Sequence, residues 1–200
     1  MQASQKYFYL PKKALCRVYN CCDLRRFNYS KNQIDNKFGK TIKLGMVARL
    51  EKHKDHVTLI KSISEMKKNG LKVILNIIGD GSKRKELEKL TTELGLQSMI
   101  IFLGASRNIP KILSKLDIFV FSAKEDEGFG IALVEAMVAG IPILASNVGS
   151  CLEILDNGNY GKFFNNGDHK DLALKVLEMT NDPKTIYEKS LKARKYAIKN

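Results

Sequence analysis

From residue 42 onward, short runs of apolar residues alternate with longer stretches that mix apolar and polar residues. The short runs are rich in Ile, Leu and Val, a composition that favours β-strands. The strands that they predict are Ile42–Ala48, Lys72–Ile78, Met99–Leu103, Asp117–Phe121, Ile141–Ala145 and a short sixth at Phe163–Phe164. Strands that alternate with helix-length stretches are typical of βαβ units, so we predict an α/β fold built on a doubly wound parallel sheet.

The longer stretches repeat apolar residues every three or four positions, which is the spacing of one helix face. The first of them has an apolar stripe made of Leu59, Ile60, Ile63 and Met66. Gly70 and Gly140 each follow such a stretch, as is common where a helix ends. The predicted helices are Asp55–Asn69, Ser82–Leu94, Ile109–Lys115, Phe129–Ala139, Lys170–Met179 and Pro183–Asn200.

Residues 1–40 differ from the rest because they are polar and show no periodic pattern. They predict a linker, or the end of a segment that precedes one domain at 41–200. No apolar run approaches the roughly 20 residues of a membrane-spanning helix, and the N-terminus does not resemble a signal peptide. We therefore expect a cytoplasmic protein. Its four cysteines are expected to be free thiols: Cys16, Cys21, Cys22 and Cys151.

Polar and glycine-rich segments follow each of the first five predicted strands. These segments are Arg49–Lys54, Gly79–Gly81, Gly104, Ser122–Gly130 and Ser146–Gly149. In an open parallel sheet the carboxyl ends of the strands share one edge, where such folds bind ligands. This convergence predicts a binding site at that edge.

The segment from Glu127 to Glu135 indicates an anion site. Gly128 and Gly130 flank the predicted start of a helix, where backbone N–H groups and the helix dipole favour a phosphate. The two carboxylates are too far apart for the acid–base pair of a glycosidase, and they suit two hydroxyl-bearing parts of one extended ligand. The alternative is structural, with Glu127 capping the helix and Glu135 on the surface.

Two cations follow the first strand. Arg49 stands just beyond its end and Lys54 just before the next helix, so that together they can neutralise a diphosphate. The alternative is a pair of solvated cations. His53, between them, is interpreted as a loop residue rather than a base.

Two other motifs do not fit the nucleotide sites that they resemble, and the distribution of basic residues argues against nucleic-acid binding. Gly79-Asp80-Gly81 lacks the third glycine of a dinucleotide fingerprint, since Arg84 stands there, and Ile34 occupies the place of the first glycine of a P-loop ending at Gly39-Lys40-Thr41. The formal net charge of +13 is compatible with nucleic acid, a solvated surface or anionic lipid. The lysines are spread over several helices without interleaved aromatic residues, so we do not expect a nucleic-acid partner.

Taken in order, these segments resemble the C-terminal domain of the retaining, two-domain glycosyltransferases of GT-B type, family four. The likeness runs from about residue 17 to about residue 195. It includes Val18–Asp23 with Phe27, similar to the interdomain linker although Cys21 replaces a glycine, and Val47–Leu50, similar to the Gly-Arg-Leu turn with Ala48 for glycine. Its most specific part is Glu127-Gly128-Phe129-Gly130 followed by Glu135. The family's fold implies that the sheet is Rossmann-like and forms one half of a GT-B enzyme.

The resemblance implies a role for each matching residue. Arg49 and Lys54 would grip the diphosphate of a nucleoside-diphosphate sugar, and Glu127 would hold hydroxyls of the transferred sugar. Gly128, Phe129 and Gly130 would offer backbone N–H groups, and Glu135 would bind the ribose. The loop with Gly104, Ser106 and Asn108 would meet the nucleobase.

The implied reaction transfers a hexosyl unit to an acceptor hydroxyl with retention, in the synthesis of a glycan or surface polysaccharide. No metal or other cofactor is expected, because Arg49 and Lys54 supply the charge that a divalent cation would provide. A glycan or lipid-linked acceptor would bind to an N-terminal domain that this chain lacks, and peripheral contact with the inner face of the plasma membrane is compatible with the charge. A non-catalytic nucleotide-binding module on the same fold stays open as the alternative.

Overall fold

The computed structural model describes residues 26–27 and 38–199. Its sheet contains the six strands β1 Ile42–Val47, β2 Val73–Ile78, β3 Ile100–Gly104, β4 Ile118–Phe121, β5 Ile143–Ser146 and β6 Lys162–Phe164. All neighbouring strands are parallel, and their spatial order is β3-β2-β1-β4-β5-β6. This is the order of a Rossmann-like, doubly wound sheet, whose direction of winding reverses between β1 and β4. The predicted fold class is therefore confirmed.

Seven α-helices connect and flank these strands in the described part of the chain: α1 His56–Lys68, α2 Arg84–Glu93, α3 Ile109–Leu113, α4 Ile131–Ala139, α5 Gly149–Ile154, α6 His169–Asn181 and α7 Pro183–Lys199. A short 3₁₀ turn follows α5 at Asp156–Gly158. Helix α1 ends at the C-cap Asn69, directly before the predicted Gly70. Helix α4 ends at the C-cap Gly140, as predicted.

The core consists of two apolar layers, one on each face of the sheet. Leu44 and Met46 of β1 pack with α1, α2 and α6 on the first face. Phe119 and Phe121 of β4 pack with α4, α5 and part of α7 on the second. Because the strands are covered on both sides, their residues are continuously apolar rather than alternating.

The second layer reaches into the segment that was predicted to be a linker. Phe27 is 7% exposed and belongs to this apolar cluster, although it precedes residue 41. The rest of the linker motif, Val18–Asp23, lies outside the described residues, as do Cys16, Cys21 and Cys22. Cys151 is buried and free.

Two helix predictions need correction. The helix predicted from Phe129 begins at Ile131, because Gly130 has the non-helical angles φ −69° and ψ 78° and acts as the N-cap. Helix α5 was not predicted; it has only six residues, and its N-cap Val148 makes no side-chain capping bond.

Candidate functional site

A cleft of about 810 Å³ opens at the carboxyl ends of β1, β2, β3 and β4. It straddles β1 and β4, the two central strands at which the winding of the sheet reverses. Crevices at such a point are the usual ligand sites of doubly wound sheets. The loops that the sequence placed at one edge therefore meet in one cavity.

Backbone contacts tie the loop after β1 to the loop after β4. The Asp55 N–H donates to the Ser122 carbonyl (3.0 Å), and the Lys124 N–H donates to the His53 carbonyl (3.1 Å). Lys54 also forms an isolated antiparallel bridge with Ala123. These bonds fix Lys54 opposite the segment that begins at Lys124 and carries Glu127.

Lys54 and Glu127 form a buried ion pair in the wall of this cleft. Their side chains are 12% and 6% exposed, and the Lys54 ammonium donates directly to Glu127 Oε2. The ammonium also lies 5.0 Å from the centre of the Phe121 ring, within the range of a cation–π contact. The ion pair and the ring contact hold the Lys54 ammonium in the wall of the cleft, and the second oxygen of Glu127 remains able to accept from a hydroxyl.

The start of α4 provides an anion-binding geometry. Gly128, Phe129 and Gly130 line the cleft and lead directly into the helix. Among the described residues, neither Gly128 nor Gly130 donates its N–H to a backbone carbonyl. Unpaired N–H groups at a helix N-terminus, together with the dipole, favour a bound phosphate.

Gly130 is also required for packing. A Cβ at this position would lie 2.8 Å from Cζ of Phe121, well inside van der Waals contact. Only glycine therefore lets the chain pass over the Phe121 ring and begin α4 at the cleft. The sequence indicated a glycine that admits a ligand, and the structure adds a steric reason below it.

Glu135 lines the same cleft one turn into α4. Partial burial raises the pKa of its carboxyl, and the nearby charge of Arg26 opposes that rise. Arg26 in turn donates to the Arg107 carbonyl at 2.7 Å. Glu135 is half-buried in the wall of the cleft rather than fully exposed to solvent.

The loops after β1 and β2 are pressed together on the other side. Arg49 lines the cleft here, next to Ala48. A Cβ on Gly79 would lie 1.9 Å from the Ala48 carbonyl oxygen, so this glycine permits the close approach of the two loops. The Ala48 N–H donates to the Ile78 carbonyl (3.0 Å) and the Leu50 N–H to that of Asp80 (3.0 Å), which extends β1 pairing beyond its last residue.

The loop after β3 contributes less than predicted. Ser106 lines the cleft, with Ala105 and Ile109 beside it. Gly104 and Asn108 are not among the lining residues. The Gly104 carbonyl accepts from the Gly79 N–H (2.9 Å), and the Asn108 side chain caps α3 by accepting from the Lys111 N–H (3.4 Å).

The cleft thus collects most of the predicted site residues: Arg49, Lys54, Ser106, Glu127, Gly128, Phe129, Gly130 and Glu135. It also contains His53, which was interpreted as a loop residue, and the carboxylates of Asp80 and Asp126. Phe121 was missed as a lining residue because its position in a buried apolar strand gives no sign that its ring faces the cavity.

No cluster of three His, Cys, Asp or Glu side chains suited to a metal ion occurs among the described residues. Within those residues, no helix is both long enough and apolar enough to cross a bilayer.

Residues 29–200 match the family described as Glycosyl transferases group 1. The chain belongs to this family. The match begins within the segment predicted to be a linker.

Relatives and solved structures extend the likeness over almost the whole chain. The N-acetylgalactosamine-N,N'-diacetylbacillosaminyl-diphospho-undecaprenol 4-alpha-N-acetylgalactosaminyltransferase of Campylobacter jejuni is 27% identical over 97% of this chain and 52% of its own length. The structure of Anabaena HepE in complex with UDP-glucose is 25% identical, with a TM-score of 0.84 over 99% of this chain and 57% of that one. The C-terminal domain of LpcC, a glycosyl transferase group 1 protein from Francisella tularensis, is 26% identical, with a TM-score of 0.74 over 90% of this chain and 97% of that domain.

The chain spans about half, or less, of the length of the curated relatives that it matches, from 29% to 52% among the first of them. It matches nearly all of a structure that contains a C-terminal domain alone. The sheet and helices therefore correspond to one half of a GT-B enzyme.

Proposed function

We propose that the cleft binds a nucleoside-diphosphate sugar and that the full protein transfers its hexosyl group to an acceptor hydroxyl with retention. The observation that carries this proposal is the single cavity shared by Arg49, Lys54, the start of α4 and two separated carboxylates, Glu127 and Glu135. Two cations and a helix N-terminus suit a diphosphate, while each carboxylate can accept hydrogen bonds from a sugar or a ribose. HepE, which shares the fold, was solved with UDP-glucose.

The proposed roles follow from position. Arg49 and Lys54 neutralise the diphosphate and stabilise it as a leaving group, and Glu127 holds the transferred sugar. The N–H groups of the 128–130 segment contact phosphate and sugar. Glu135 binds the ribose, one turn into α4, and Ser106 lies toward the nucleobase, with Gly104 and Asn108 shaping that loop.

Metal independence is part of the same proposal. A divalent cation would supply charge to the leaving diphosphate, and the two side-chain cations at the end of β1 provide charge of the same sign. We expect UDP affinity to be the same with EDTA as with Mg²⁺; a requirement for Mg²⁺ would contradict this part of the proposal.

Calorimetric titration with UDP, GDP and ADP tests donor binding, since the base is not specified by the cleft. Arg49→Ala and Glu135→Ala should each weaken binding of the preferred nucleotide by roughly tenfold or more, the effect of one lost hydrogen bond to a charged group. Lys115→Ala, on the surface beyond α3, is the control and should bind like the wild type. Unchanged affinity in both cleft variants would overturn the donor-site assignment.

A non-catalytic nucleotide-binding module on the same fold is the second candidate. It predicts nucleotide binding that does not distinguish the free nucleoside diphosphate from the sugar-bearing one. The enzyme predicts that Glu127→Gln weakens a nucleotide sugar more than the free nucleotide. Equal effects on both ligands would favour the module.

We also propose an acceptor on a membrane-borne lipid or glycan, with the protein at the inner face of the plasma membrane. Helix α7 supports the membrane contact, because Leu191 and Ile198 are exposed (36% and 47%) and recur with Lys184 and Lys195 at spacings that share one side of a helix. Lysines next to anionic lipid contribute about 1 kcal/mol each. The Campylobacter jejuni relative is named for a diphospho-undecaprenol substrate, which is a lipid.

Vesicle co-sedimentation tests this contact. We expect binding to vesicles that contain phosphatidylglycerol and none to pure phosphatidylcholine. Lys184→Glu with Lys195→Glu should abolish binding, whereas Lys85→Glu with Lys89→Glu on α2, which changes the net charge equally, should not. Equal loss in both double variants would show an effect of total charge and overturn the α7 surface.

A further inference from the structure

His56, the first residue of α1, is buried and is not among the residues that line the cleft. It is 1% exposed and stands two positions after Lys54, which lines the cleft. Its Nδ1 lies 3.0 Å from the Lys54 carbonyl oxygen. The proposed donor site gives His56 no role.

The environment fixes the protonation of this imidazole. A carbonyl oxygen can only accept, so the contact requires the proton on Nδ1 and leaves Nε2 as an acceptor. Nε2 is buried and has no hydrogen-bond partner among the described residues. Burial lowers the pKa of His56 to about 4, against an opposing effect of the Lys54 carbonyl, so the ring is neutral at physiological pH.

The Lys54 carbonyl accepts two bonds from the same residue. The His56 backbone N–H donates to it at 2.8 Å, and the ring N–H approaches from the side chain. The Lys54 N–H meanwhile donates to the Glu51 carbonyl at 3.0 Å. The backbone of Lys54 is therefore fixed on both sides, while its ammonium extends over Phe121 to Glu127.

We propose that His56 is a positioning residue that holds the backbone of Lys54 so that its ammonium meets both Glu127 and the β-phosphate of a bound nucleotide. This inference rests on the proposed donor site and deepens it. A long, flexible lysine loses considerable conformational entropy when it is held in one place, and a fixed backbone lowers that loss on ligand binding. A neutral imidazole fulfils this role without adding a third charge beside Lys54.

The test compares three variants of His56 in the 200-residue chain. His56→Leu replaces the ring by an apolar side chain and removes the N–H donor. His56→Asn keeps an N–H near the position of Nδ1, whereas His56→Gln places its amide farther out, near Nε2. Affinities for UDP and UMP are measured by calorimetry, and thermal unfolding reports whether each variant is folded.

We expect His56→Leu to weaken UDP roughly tenfold while UMP changes much less, since only UDP carries the β-phosphate. His56→Asn should stay within about threefold of the wild type. In a Lys54→Met background, His56→Leu should cause no further loss of UDP affinity, because the residue acts through Lys54. A purely structural role would weaken both nucleotides equally and would persist in that background.

The outcomes separate this proposal from the donor site itself. If the wild type binds UDP and folded His56→Leu binds it equally well, the His56 proposal fails and the donor site stands. If the wild type binds none of UDP, GDP and ADP, the donor site fails and the role of His56 fails with it; if it prefers GDP or ADP, that diphosphate and its monophosphate replace UDP and UMP in the comparison. Should His56→Leu not fold, the other two variants decide. Weaker UDP binding by His56→Gln with wild-type affinity in His56→Asn supports the proposal, and equal UDP affinities in the two variants overturn it.

Discussion

The ion pair between Lys54 and Glu127 has a structural consequence apart from any ligand. Both side chains are largely removed from solvent, and each supplies the charge that the other needs there. Removing one partner of a buried pair leaves an uncompensated charge, which commonly destabilises a protein by about 3–5 kcal/mol. We expect Lys54→Met to lower the free energy of unfolding by this order in urea denaturation.

The control for this prediction is the double variant Lys54→Met with Glu127→Leu. It removes both charges, and replacing a buried pair by apolar residues is often close to neutral. A double variant as unstable as Lys54→Met alone would contradict the pairing energy that we infer. Neither variant should bind nucleotide like the wild type, so stability and affinity are expected to separate.

Glu135 provides a second prediction at this scale. Partial burial raises the pKa of its carboxyl above the ordinary value of 4.5, so the folded state holds this proton more tightly than the unfolded state. Its favourable contribution to stability is present below 4.5 and is lost as the pH rises through the raised pKa. Glu135→Gln should therefore be more stable than the wild type near neutral pH, with a gap that closes on acidification.

Urea unfolding at several pH values checks this sign. The charge of Arg26 opposes the rise in the pKa of Glu135. Adding Arg26→Gln to both proteins should therefore widen the difference in unfolding free energy between the wild type and Glu135→Gln. A gap that grows toward acid pH would contradict the direction of the pKa shift. The same burial that destabilises the carboxylate places it in the wall of the cleft.

At the level of elements, the start of α6 illustrates how a helix outside the site is stabilised. Asp168 caps it, accepting from the backbone N–H groups of Lys170 (2.9 Å) and Asp171 (3.0 Å). These bonds lower the pKa of its carboxyl. Asp168→Ala should destabilise the protein by about 1 kcal/mol, which corresponds to roughly 2–4 °C in melting temperature, and Asp168→Asn should lose much less.

The pH dependence of this effect is opposite to that of Glu135. The stabilisation by the Asp168 charge is present above its ordinary pKa of 3.8 and is lost as the pH falls through the lowered value. Calorimetric melting of both variants at neutral and acid pH measures it. Since Asp168 is not among the lining residues of the cleft, nucleotide affinity in both should match the wild type.

Sequence periodicity predicted the elements with strong patterns and failed where the pattern was short or interrupted. Helix α1 was placed almost to the residue because its apolar stripe and Gly70 agree; Asp55, at which it was predicted to begin, is its N-cap in the structure. The start of α4 was predicted two residues early, since the steric conflict between a Cβ at Gly130 and Phe121 is a tertiary contact. Helix α5 escaped because six residues show too little periodicity.

The candidate site was predictable to the extent that it depends on strand ends. Chain order showed that Lys54 and Glu127 follow strands of one sheet, and the adjacency of β1 and β4 brings them into contact. What could not be predicted is side-chain engagement: the ion pair, the ring beneath it and the buried histidine. Those depend on how two loops are hydrogen-bonded to each other, which no spacing in the sequence encodes.

For the whole molecule, the charge of +13 makes electrostatic binding of a polyanion a necessary control. A site for nucleic acid would show affinity for generic duplex that falls steeply with salt, since released counterions dominate such binding. We expect no such affinity at physiological salt, because the basic residues are spread over several helices. Fluorescence anisotropy with labelled duplex at several salt concentrations measures it, and tight binding that survives physiological salt would contradict the expectation.

The last prediction concerns turnover by the 200-residue chain. Its cleft holds the groups that we propose for the donor, whereas the relatives that it matches are about twice as long or longer, and the proposed acceptor site belongs to the rest of such a protein. Transfer requires an acceptor oxygen oriented within bonding reach of the anomeric carbon and a cavity closed against water. An open single-domain cleft provides neither, so we expect the chain to bind UDP weakly and to leave a UDP-sugar intact. Release of free UDP, followed by a coupled assay with Glu127→Gln as the control, measures this directly; UDP release by the wild type that the variant lacks would show that one domain suffices for the chemistry.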